Sequence, residues 1–164
     1  MLDAMGAATG AEAARRLAAL GRVEIQPGLS SVELDNAQRR WDIEFSEDHR
    51  AFLAAGLPVG RKWPDWRAGD PDTLRALLDW PREGVLFDVE SNAYWHPSWG
   101  PRPADADAAL DLARARLDEV PRMIPVYSHR YLPPRLAGHP VLSIHQTDVI
   151  TYGVDLVDYI HREF

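Results

Sequence analysis

The sequence predicts an α+β fold in a single domain, and three observations carry that reading. Helix signals and β-type segments are mixed along the chain without strict βαβ alternation. No internal repeat, low-complexity tract or long linker divides the chain. Its 164 residues, 46% hydrophobic and 26% charged, suit one globular domain that buries about 70% of its unfolded surface.

The elements follow in order. The first nine residues are expected to fray. Thr9 to Glu12 has capping-box spacing, and the Ala/Leu/Arg run after it stops at Gly21, a C′ residue. This first helix is read as a peripheral arm, residues 1–22, ahead of a domain spanning 23–164. A second capping box, Ser30 to Glu33, opens a helix whose apolar stripe is Leu34, Ala37 and Trp41. Ser46 caps a third helix, with Glu47 and Asp48 in its first turn, Phe52 and Leu53 on its inner side and Gly56 as its stop. Asp70-Pro71 is an N-cap with proline at N1, starting DTLRALLDW. Pro81 and Gly84 then punctuate, and Val85 to Glu90 reads as a strand. A helix after Pro103 has Asp105 and Asp107 near its start and a stripe of Leu110, Ala113, Leu117 and Val120. Met123–Tyr127, Val141–His145 and Val149–Tyr152 read as β segments, and Asp155 to Glu163 as a closing helix. The intervening SHRYLPPRLAGHP, with its prolines and Gly138, reads as irregular loop.

Composition narrows the function. There is no cysteine, so disulfides, Cys-ligated metals and thiol catalysis are excluded. No apolar run approaches the roughly 20 residues of a membrane span, and the N-terminus lacks the pattern of a signal peptide. The expected location is the cytoplasm. Net charge is −7, with no Lys/Arg run longer than two, so nucleic acid and membrane are poor partners. A basic protein partner fits better, although the charge also serves plain solubility.

The stretch GLSSVELDNAQRRWDIEFSEDHRAFLAAGLPVG resembles the N-terminal signature of the SUKH superfamily, in Gly28 to Ser30, Glu33-Leu34, Phe45, Asp48 and the pair Phe52-Leu53. Ser46 stands where that pattern usually has proline. WPDWRAGD, LFDVESNAYW, WGPRPAD, IPVYSHRYLP and PVLSIHQTDVITYG resemble an actinobacterial branch, so the likeness runs over about residues 26–164. It implies one α+β domain with a central mixed sheet flanked by helices. Many members of the family are immunity proteins that bind and neutralise a toxin, often a nuclease. Others regulate cell-wall assembly or serve as partner-binding modules, and enzymatic activity is not implied. Family contact residues do not transfer to this chain.

Three clusters are candidate sites. All six tryptophans lie between Trp41 and Trp99, four of them in Pro/Gly-rich segments, and tryptophan is enriched in binding hot spots. In the first cluster Trp63 and Trp66 either wall a cleft or plug the core edge. Asp65 and Arg67 there either meet a partner's charge or bond within the loop. The second comprises Asp88, Glu90, Tyr94, Trp95 and Trp99, flanked by Asn92 and His96. On a strand, Asp88 and Glu90 would share one face, as a solvated surface, an acidic patch or, least favoured, a carboxylate pair for metal or acid–base chemistry. The third is His129, Arg130 and Tyr131. Ser128, His129 and Asp148 lack the elbow and oxyanion loop of a triad, so an internal polar network in which Arg130 or His129 bonds Asp148 or Asp88 is the stronger reading. No catalytic residue, metal ligand set or cofactor site is predicted. The leading expectation is a non-enzymatic protein-binding domain, and the alternative is a small-molecule or peptide sensor with an aromatic cleft.

Overall fold

The computed structural model describes residues 2–164 and has the α+β class the sequence predicts. Helix α1 (Leu2–Ala19) lies along α3 (Glu47–Ala55), and α2 (Ser31–Trp41) precedes α3. Short strands β1 (Glu24–Gln26) and β2 (Leu57–Val59) pair antiparallel. The long α4 (Pro71–Ser91) leads through a single 3₁₀ turn, Pro97–Trp99, into α5 (Ala106–Asp118). A meander follows: β3 (Ile124–Tyr127), β4 (Arg130–Leu132), β5 (Val141–His145) and β6 (Asp148–Gly153), closed by α6 (Leu156–Glu163). Every strand pair is antiparallel, whereas the family resemblance implied a mixed sheet.

The caps at Ser30 and Asp70 hold as read, whereas Thr9 starts no helix: it lies inside α1, its hydroxyl donating to the Met5 carbonyl at 3.0 Å. Ser30 and Glu33 form the reciprocal capping box, and Asp70, Asp105 and Asp155 each accept an amide at the start of their helices. Ser46 sits at the N-cap of α3 without capping by its side chain, which instead donates to Asp48 Oδ1 (2.5 Å).

Four expectations need correction. The first helix is not an arm. It starts at Leu2 and buries Ala13, Ala14 and Leu17 in the main core with Phe52, Leu53 and Tyr159. Gly10 is what lets it approach α3: a Cβ there would stand 1.9 Å from the carbonyl oxygen of Asp48. Second, Val85 to Glu90 is helix, because α4 continues through Pro81. Proline deprives the Leu77 carbonyl of its i+4 donor, and the buried Tyr131 hydroxyl supplies one at 2.7 Å. With that satisfied, the apolar spacing Leu74, Leu78, Leu86, Val89 holds one helix face against the sheet and α5. Third, the SHRY loop contains β4, between β3 and β5, joined to β3 by a two-residue turn with Ser128 at φ 49°. Fourth, β1 and β2 form where the sequence predicts no strand, and Pro58 is accommodated because a strand of a two-stranded pair needs no donor on its outer side.

The sheet has two dressed faces. Arg130, Ser143 and Tyr152 lie on the side of α6, where Arg130 Nε bonds Glu163 at 3.1 Å. Tyr131, Leu142, Ile144 and Val149 look toward α4.

Candidate functional site

The first cluster is internal. Trp63 and Trp66 are 8% and 7% exposed. Trp63 stacks on Phe164 (5.5 Å) and Phe52 (6.4 Å), and Trp66 meets Phe45 edge-on at 5.2 Å. They plug the core, so their role as apolar anchors for a partner is corrected: no face large enough is left to water. Asp65 accepts the amides of Arg67 and Ala68, both at 3.0 Å. Arg67 grips Glu33 (2.6 Å) and the carbonyls of Pro27 and Gly28, clamping this loop onto the start of α2. The guanidinium holds the Glu33 carboxyl well below its ordinary value, at about 2.

The second cluster splits. On a helix, residues two apart point in different directions. Asp88 is 4% exposed and Glu90 is exposed, which corrects their shared face. Asp88 accepts the amide (3.0 Å) and hydroxyl (2.7 Å) of Thr147 and the side-chain amide of Asn92 (2.6 Å). It thereby ties the β5–β6 turn to α4, and these donors, Thr147 first, lower its pKa. A carboxylate so occupied is a structural tether. Trp95 and Trp99 meet edge-on at 5.1 Å, Tyr94 closes on Trp99 at 6.0 Å, and Arg102 lies over Trp95 at 5.6 Å. This half-buried knot packs on Val89, Leu110, Ala113 and Leu117 as a satellite core.

The third cluster is an internal polar network, but its acid is Glu163 and not the expected Asp148 or Asp88. Buried Arg130 donates to Ser143 Oγ (2.9 Å), Glu163 and His129 Nε2, with its guanidinium 3.9 Å from the Tyr152 ring. Partial burial, then the charge of Arg130, lowers the pKa of His129. Its Nδ1 stands 3.2 Å from Ser128 Oγ, while Nε2 accepts from Arg130 and does not meet Asp148. Tyr131 is spent on Leu77, so these residues, offered as ligand contacts, belong to the scaffold.

What faces outward is a surface the sequence reading missed. Between α4 and the sheet runs an apolar groove of about 290 Å³, lined by Leu78, Pro81, Val85, Leu117, Ile144 and Val149. It joins, through Arg82, Val120 and Arg122, a polar cleft of about 660 Å³ that reaches Glu44 and Arg135. Along the outer side of α4, Trp80 and Phe87 are 45% and 49% exposed. Carrying the helical period past Pro81 would have put Trp80, Glu83, Phe87 and Glu90 on one outer stripe; reading a strand there hid it.

Among the described residues, no group of His, Asp and Glu side chains is placed to hold a metal, and no helix is long and apolar enough to cross a membrane. No family model, curated protein or solved structure matches the chain.

Proposed function

We propose that the chain is a non-enzymatic, cytoplasmic protein-binding domain, an immunity protein of SUKH type that binds and neutralises a basic toxin domain. One observation carries the binding role. The outer face of α4 exposes two large aromatics, Trp80 and Phe87, beside Glu83 and Glu90, which enter no ion pair among the described residues. Exposed aromatics rimmed by charge are the composition of a recognition surface. The net charge of −7 favours a basic partner and speeds its encounter. Where α4 gives way to the 3₁₀ turn, the half-buried Trp95/Trp99 knot offers further partly exposed aromatic surface. The toxin-neutralising role rests on the family resemblance of residues 26–164.

Affinity capture from native lysate, at low and physiological salt, tests the reading. A basic protein with a toxic domain, held through physiological salt, is the expected result. Retention of nothing basic contradicts it.

The apolar groove favours a second reading, a sensor for a small apolar molecule or peptide, because its 290 Å³ lies near the lower bound for ligand pockets. A metabolite library screened by thermal shift tests it. Ligand at about 100 times its Kd adds about 2.7 kcal/mol, which a melting curve resolves.

A further inference from the structure

Trp80, Glu83 and Phe87 stand at i, i+3 and i+7 of α4, so all three look out from one side of the helix. Together with Gly84, His145 and Gln146 they line a dent of about 240 Å³. Its construction is specific. The Trp80 indole is not a loose surface ring: its N–H donates to the Ile144 carbonyl of β5 at 3.1 Å, and His145 meets it edge-on at 6.2 Å. The ring is thus fixed while 45% of the residue stays exposed. Gly84 sets the back wall, because a Cβ there would stand 2.8 Å from Gln146 Cα; only glycine lets the β5–β6 turn close so tightly on the helix. Asp88, one turn further on, locks that turn through Thr147.

The acids of this face are not equivalent. Asp72 is paired with Arg75 and Asp79 with Arg122, each at 2.8 Å. Glu83 enters no ion pair among the described residues, and it lies between the two exposed rings. Two aromatic walls and an unspent carboxylate form a receptor for a cation with a flat, delocalised face. A guanidinium stacks on an indole and forks onto a carboxylate; an ammonium, more strongly hydrated, does neither as well. We propose that this dent is the receptor for an arginine side chain of the protein partner, the central contact of the α4 face.

The inference deepens the protein-binding reading and rests on it for the partner, yet it can be tested without one. The full chain, uniformly labelled with ¹⁵N, is titrated with hexa-arginine at physiological salt and followed by amide and indole N–H shifts. Shifts centred on the Trp80 indole and on Glu83, Gly84, Phe87 and Gln146 are expected. Hexa-lysine is expected to bind at least about fivefold more weakly, and Glu83→Gln and Phe87→Ala each to weaken hexa-arginine by about fivefold or more. Both substitutions are at exposed positions, and unchanged melting temperatures confirm that the fold persists. Shifts spread over the acids of α5, unaltered binding by both variants, or equal binding of hexa-lysine each overturn the assignment. If hexa-arginine misses the dent while a basic protein is still captured from lysate, the inference fails and the protein-binding reading stands.

Discussion

Replacing Tyr131 by phenylalanine removes one oxygen from the interior, and the structure fixes what that oxygen does. Tyr131 is 0% exposed and its hydroxyl donates to the Leu77 carbonyl at 2.7 Å. That carbonyl has no helical donor because residue 81 is proline. Loss of the hydroxyl strands a polar group whose desolvation costs about 1–3 kcal/mol. For a chain of this size about 2–4 °C of melting temperature accompanies each kcal/mol, so Tyr131→Phe is expected to melt roughly 2–12 °C lower. The sharper test is a double-mutant cycle with Pro81→Ala. Alanine restores an N–H to the helix, so Leu77 gains its i+4 donor and no longer depends on Tyr131. In that background Tyr131→Phe is expected to cost at least about 1 kcal/mol less, measured by urea unfolding of the four proteins. Equal costs in both backgrounds would refute the claim that Tyr131 compensates for the proline.

Trp66→Ala is expected to destabilise by about 3–5 kcal/mol in denaturant titrations, since it empties a core site instead of stripping a binding face. Deleting residues 1–22 is expected to leave no cooperative unfolding transition, because Ala13, Ala14 and Leu17 go with them; a folded 23–164 fragment in circular dichroism would restore the arm. His49 is buried and uncharged, with burial alone holding its pKa at about 3. Its contribution is therefore complete above the unfolded value of about 6.5 and is lost progressively as pH falls toward 3, by up to about 1.4 kcal/mol per pH unit. His49→Leu is expected to flatten this acid limb in urea titrations from pH 7 to pH 4, and an unchanged slope would refute it.

Much of the fold was legible because it is local chemistry. The caps at Ser30, Asp70 and Asp105, and the apolar periods behind them, position their helices unaided. Errors arose where a distant residue overrides a local rule. Pro81 is a helix breaker until Tyr131, fifty residues away in sequence, satisfies the carbonyl that the proline leaves without a donor. The hairpin turns at Ser128 and Gln146 take positive φ without the Asn or Gly that announces such turns, so β4 was hidden in a presumed loop. The first helix read as an arm because its inner face is mostly alanine and glycine, which mark close packing only once α3 is placed beside them. The candidate site followed the same logic. Tryptophan density points to Trp63 and Trp66, which are core, whereas Trp80 and Phe87 share an outer face only on a helix that runs through Pro81.

The measurement closest to the central claim is quantitative affinity capture from native lysate at physiological salt, comparing wild type with a Glu83→Gln, Phe87→Ala double variant of unchanged melting temperature. A basic protein retained by wild type and reduced about tenfold or more by the variant is the result expected of a hot spot on α4. Equal retention by both proteins, or nothing basic retained by either, would contradict it.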